Sequence, residues 1–164
     1  MQITTTSMIR AAIIAIAVIF GAPQFAEGQD APPERSLAGV WEVSTTPRDC
    51  TTGEPILAAA FVAQYTFQKD KTMLSWYSSG TPAPGQGLWR RENGWTSYSF
   101  KSVRILRTTT GVFSGKSELG GTLTLSESGD QYTSDEYSIV YGADGVPDPR
   151  LRCLNSVGTR LKMD

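Results

Sequence analysis

The chain contains no histidine. That removes the commonest general base, the usual Ser-His arrangement and most catalytic zinc sites. Any catalysis must rest on carboxylates and tyrosines. Glu118, Glu127, Asp135 and Glu136 flank the later strand-like runs, and Glu118, beside Leu119, is the acid to watch. Burial raises a carboxyl pKa and lets the group act as an acid or base. A cyclase or isomerase needs little more than that group in a shaped apolar cavity. The competing reading is a solvated acid at a strand end, and no catalytic residue is assigned. Gly80–Gly87 (GTPAPGQG) is a Pro/Gly turn, a stiff loop rather than a phosphate or cofactor grip. Arg48-Asp49 beside Cys50 reads as a local ion pair or as order for a long first loop. No side chains form a metal cluster, and neither metal nor cofactor is expected.

The remaining reactive residues are Cys50 and Cys153, the only two cysteines. Their reading depends on compartment. Arg10 precedes an apolar run, Ala11 to Ala22, whose length fits a signal-peptide core and falls short of a membrane span. Residues 1–26 are expected to be a signal peptide, with 27–35 a polar leader. Cleavage after Gly28 places small Ala26 at the minus-three position, where cleavage after Ala26 places Gln24. The alternative is an uncleaved amphipathic or membrane anchor. A secreted or periplasmic protein follows, with no stable membrane span after cleavage. Two cysteines in an exported chain most simply form one disulfide, the alternative being two buried thiols. Removing Arg10 from 15 basic residues leaves 14 against 16 acidic, a net charge of −2. No basic block or stripe is present, so nucleic acid is not an expected partner.

Residues 36–164 form one domain large enough for a sizeable core. Helical periodicity is nearly absent, although Leu57–Phe61 can make one short turn. β-branched and aromatic residues recur between Gly, Pro, Asn and Asp. They predict strands near 38–46, 61–68, 71–78, 86–91, 95–107, 112–118, 121–127, 131–141 and 156–163. Lys69-Asp70, Glu92-Asn93-Gly94 and Ser128-Gly129-Asp130 are the predicted tight connections. Such a meander has two exposed edges unless it closes. Pairing the first and last strands antiparallel, with Trp41 opposite Arg160, brings Cys50 near residue 151 and within reach of Cys153. The predicted fold is an all-β, antiparallel up-and-down barrel of about eight or nine strands. In it the Arg160 guanidinium lies on the Trp41 indole, a contact of about 0.5–2 kcal/mol.

Gly39-Val40-Trp41 in the first strand and Arg160 in the last resemble the lipocalin and wider calycin superfamily. The layout covers most of Leu37 to Met163; the motif covers only these few residues. The resemblance implies that Trp41 and Arg160 close one end of the barrel. The other end then admits a small hydrophobic molecule. The Gly- and Pro-rich stretch 142–149 departs from the helix usual before the last strand, and the Thr-Asp-Tyr signal is missing. A shorter calycin, or a small barrel of the allene oxide cyclase and dirigent type, fits those departures.

Aromatics with polar tips are frequent in the strand-like segments. Phe61, Ala63, Tyr65 and Phe67 alternate with Val62, Gln64, Thr66 and Gln68 and face inward. Tyr98 and Phe100 share a face, as do Leu123, Leu125 and Gly121. In the third strand Leu74, Trp76 and Ser78 oppose Met73, Ser75 and Tyr77, and either set can be internal. Tyr65, Phe67, Trp76, Tyr98 and Phe100 are the candidate ligand-binding residues, suited to an apolar ligand with one polar end. The alternative is that these side chains fill a solid core and the protein works through its surface.

Overall fold

The computed structural model describes residues 35–78 and 83–163. The expected signal peptide, all of the leader except Arg35, and part of the 80–87 loop lie outside the described residues. Eight strands follow in order: β1 (Gly39–Arg48), β2 (Phe61–Phe67), β3 (Thr72–Tyr77), β4 (Gly85–Arg91), β5 (Ser97–Arg107), β6 (Phe113–Leu125), β7 (Gln131–Gly142) and β8 (Arg152–Arg160). Each pairs antiparallel with the next, and β8 pairs with β1, so the sheet closes into a barrel. This is a calycin-like up-and-down barrel. Closure satisfies both edges that a meander would otherwise expose.

The closing register is the expected one. Trp41 stands opposite Arg160, and Arg48 opposite Cys153. Two residues beyond the end of β1, Cys50 forms a disulfide with Cys153 of β8, their Cα atoms 5.2 Å apart. The one-turn 3-10 helix Leu57–Ala59 precedes β2. The first hairpin closes from Gln68 N–H to the Thr72 carbonyl, the Asn93-Gly94 connection from Glu92 N–H to the Ser97 carbonyl.

Three boundaries differ notably from expectation. The predicted strands 112–118 and 121–127 are one continuous strand, β6. Gly120-Gly121 does not break it. The Tyr137 ring on β7 lies across Gly120 so closely that a Cβ there would sit 2.6 Å from the hydroxyl. Glycine here marks a close approach within a strand, the other meaning it has in sheets. β4 opens at Gly85, within the predicted loop and one residue ahead of the predicted strand start at 86. The last strand also begins four residues earlier than predicted, because Cys153 pairs across to both Arg48 and Tyr137.

Inward side chains divide the interior in two. At the Trp41 end it is filled by Leu37, Trp41, Phe67, Tyr98, Leu123 and Tyr132, all 2% exposed or less. Trp41 meets Tyr132 edge-on at 5.0 Å, and Phe67 stands 6.1 Å from Trp89 and 6.3 Å from Tyr132. Such tilted pairs add about 0.5–1.5 kcal/mol each beyond burial. Trp41 Nε1 donates to the Leu37 carbonyl at 3.0 Å. Arg160 covers this end: its Cζ lies 4.3 Å from the Trp41 ring centre. The same guanidinium donates to the carbonyls of Gly129, Ala38 and Ser36. The pair predicted from the sequence therefore carries backbone hydrogen bonds as well as the cation–π contact.

Candidate functional site

At the opposite end the barrel is open. β1, β3, β5, β7 and their partners end there around a cavity of about 800 Å³. Its apolar wall includes Phe61, Leu119 and Leu154, and its polar wall includes Tyr77, Ser102 and Arg104. The disulfide and the 3-10 helix Leu57–Ala59 form part of its rim. The volume falls within the range typical of small-molecule sites, and an apolar lining with few polar groups is their usual character.

The rim is strongly charged but mostly paired. Arg48 Nη2 lies 2.9 Å from Asp135, and Asn155 donates to the same oxygen. The expected Arg48–Asp49 pair is thus replaced by a cross-strand one. Asp49 instead accepts from the backbone N–H groups of Thr51 and Thr52, ordering the first loop, which holds its carboxyl below the usual range. Arg150 grips Asp148 through Nε and Nη2, and Arg152 stands 3.7 Å away. Hydrogen bonds from Arg150 bring the Asp148 pKa down to about 2.

Beneath the cavity lies a layer of polar side chains above the aromatic core. The hydroxyls of Thr45 and Ser156 are 2.9 Å apart, and those of Ser117 and Ser138 are 3.0 Å apart. Glu136 sits in this layer, 3% exposed. Ser134 donates to its Oε1 at 2.6 Å, and the Tyr65 hydroxyl to its Oε2 at 3.4 Å. Burial raises the Glu136 pKa; the bonds from Ser134, Ser156 and Tyr65 oppose that shift, and nearby Asp135 adds to it. Burial, then the Glu136 charge, pushes the Tyr65 and Tyr132 hydroxyls well up. The Tyr132 hydroxyl is buried without a hydrogen-bond partner.

Glu136 thus makes stability depend on pH. Its folded pKa stands above the unfolded value, so between the two the folded state binds the extra proton. Stability is fully present below the unfolded pKa and falls as pH rises through that window. The titratable groups that share the interior with it are Tyr65, Tyr132 and Tyr77, and Asp135 acts on it from the outer face of β7. Glu136→Gln keeps the shape without the charge. In urea unfolding the variant is expected to gain on the wild type as pH rises above the unfolded carboxyl value, and to gain no further once pH passes the raised folded one. A constant difference across that range would show that Glu136 does not titrate above its unfolded value.

The sequence-derived candidates are dispersed by this geometry. Tyr65 belongs to the polar layer. Phe67 and Tyr98 lie in the filled end, and Phe100 stands between, its ring 6.1 Å from Tyr65. Trp76 is on the outer face, 46% exposed, because Met73, Ser75 and Tyr77 are the inward set of β3. None of the five lines the open cavity. Phe61, Tyr77, Leu119, Leu154 and Arg104 do; none of them was named for the site, although Phe61 was expected to face inward and Tyr77 belonged to one of two possible inward sets. Glu118 follows the reading that left it without a catalytic role. The parity of β6 turns it outward, between Lys116 Nζ at 2.8 Å and Lys101 Nζ at 3.0 Å. Hydrogen bonds from those two lysines lower its pKa, the reverse of an acid poised by burial. The signal for Glu136 was present in β7, where Tyr132, Ser134, Glu136 and Ser138 share one face.

Among the described residues, no group of three or more His, Cys, Asp or Glu is placed to hold a metal ion. No helix among them is long and apolar enough to cross a membrane. Comparison with protein-family models and with curated proteins finds no match for this chain. The architecture therefore speaks for itself: a calycin-like barrel of eight strands, closed by Trp41 and Arg160 at one end and open at the other.

Proposed function

We propose that the protein is an exported carrier that binds a small hydrophobic molecule in the open end of its barrel. The observation that carries this reading is the cavity of about 800 Å³ walled by Phe61, Leu119 and Leu154. A filled-core interaction module has no use for such a space, and eight-stranded barrels are wide enough to hold one small ligand. Export to the periplasm or outside the cell is supported by the apolar run Ala11 to Ala22 and by the disulfide.

Native mass spectrometry of the protein from its own producing cells, followed by solvent extraction, tests the reading. A reproducible small apolar molecule bound one to one is the expected result. Leu119→Trp fills the cavity from its apolar wall and is expected to abolish that adduct while leaving the barrel folded. A clean apo mass, with no uptake of hydrophobic fluorescent probes, would transfer the function to the outer surface.

A cyclase or isomerase is the second reading, favoured by the buried acid Glu136. That carboxyl does not itself line the cavity. The Glu136→Gln variant is therefore expected to retain the bound molecule, and its turnover of the extracted ligand decides between carrier and enzyme.

A further inference from the structure

Four arginines line the cavity: Arg48, Arg104, Arg150 and Arg152. Three of them face carboxylates, Arg48 at Asp135 and the other two at Asp148. Arg104 does not. Among the described residues it has no ion pair, and its Nε is buried with no hydrogen-bond partner. The carboxylates nearby are already committed: Asp49 to the amides of Thr51 and Thr52, Asp135 to Arg48 and Asn155, Asp148 to Arg150.

Arg104 is an inward position of β5, following Tyr98, Phe100 and Ser102 towards the mouth. Its guanidinium lies 4.4 Å from the centre of the Tyr77 ring, on β3. To reach it the side chain must pass β4, and the residue opposite Arg104 on β4 is Gly85. A Cβ at Gly85 would run into the Ser75 hydroxyl. The side chain thus crosses the β4 position that carries no side chain and sets its guanidinium against the β3 wall. A planar cation is held in place by an aromatic face, inside an apolar-lined space, with no counter-charge. Arg104 is half-buried, and withdrawing a charge from water is costly unless something pairs with it.

We propose that the ligand carries an oxyanion, a carboxylate or a phosphate ester, and that Arg104 is the residue that holds it. This rests on the carrier reading and narrows its ligand to an anionic amphiphile. The apolar part lies against Phe61, Leu119 and Leu154, and the head meets the guanidinium just inside the rim. The planar fork of arginine matches both oxyanions through two parallel N–H···O bonds. Charge-assisted bonds of that kind are roughly twice as strong as neutral ones.

The test is calorimetric titration of the delipidated protein with dodecanoate, its methyl ester and monododecyl phosphate. The wild type is expected to bind at least one of the anions about tenfold or more tightly than the ester. Arg104→Met is expected to erase that margin, with the ester measured on the same variant as the reference. The anion with the larger margin names the head group. Equal affinity of anions and ester for the wild type would overturn the proposal. So would a margin that survives in Arg104→Met, since it would place the anion elsewhere on the rim. Should that variant fail to fold, Arg104→Gln keeps polarity without charge and the same margin is read from it. Failure of all three compounds, ester included, removes the carrier reading itself, an outcome distinct from loss of the margin.

Discussion

Trp41→Ala is expected to destabilise the barrel by about 3–5 kcal/mol, the range for deleting a large buried aromatic. The side chain is completely buried at the closed end. Its loss opens a void beside Tyr132 and Phe67, whose rings cannot collapse into it because each is fixed by other neighbours. It also leaves the Leu37 carbonyl without its donor at 3.0 Å, and strips Arg160 of the indole face it covers. Arg160 keeps its three carbonyl acceptors, so the variant is expected to remain a closed barrel with a lower midpoint. Chemical unfolding with an unchanged denaturant slope is the measurement. A loss below about 1 kcal/mol would mean that the void is refilled and that Trp41 is not the closing element.

The second large effect is at the other end. The Cys50–Cys153 disulfide closes a loop with a sequence separation of 103. Loop entropy for about 100 residues corresponds to roughly 4.7 kcal/mol, and native disulfides in small exported domains typically give 2–5. The double variant Cys50→Ala, Cys153→Ala is expected to lose stability within that range and to become insensitive to reductant. β1 and β8 remain paired from Trp41 to Arg48, so the loss falls first on the mouth and on the first loop, residues 49–60. Hydrogen exchange should show those amides opening ahead of the Trp41 end. Equal stability of wild type and double variant under oxidising conditions would sink the account.

How much of this was legible depended on what kind of signal each feature left. Closure was legible because it is written at both ends of the domain, in Gly39-Val40-Trp41 and Arg160, and repeated by the two cysteines. The turns were legible because Asn, Asp and Gly have local backbone reasons to sit there. Strand parity was harder. β3 reads TMLSWY, with apolar side chains on both faces, and Leu74 on its outer face is half-buried by neighbours. Alternation alone cannot then choose between Trp76 and Tyr77. The two late acids show the same limit. Glu118 and Glu136 both sit beside apolar residues, but Ser117 and Leu119 point in on β6, whereas Glu136 itself points in on β7. Arg104 was passed over because a charged residue in a strand reads as external. Nothing in its own neighbourhood announced that its guanidinium would lie on the Tyr77 ring of β3.

The closing seam has one more consequence, for the order in which the chain can become protected. Every pairing but one joins strands that are adjacent in sequence; β1 with β8 is the exception. Non-local pairings are the slow step of β folding, because the entropy of joining distant segments is lost before their contacts form. Until β8 arrives, β1 and β7 are both bare edges, and bare edges recruit other chains. A chain emerging N-terminus first therefore stays vulnerable to aggregation until its last strand is out. Trp41 and Arg160 are the pair that ends that interval, which gives the clasp a kinetic meaning beside its contribution to equilibrium stability.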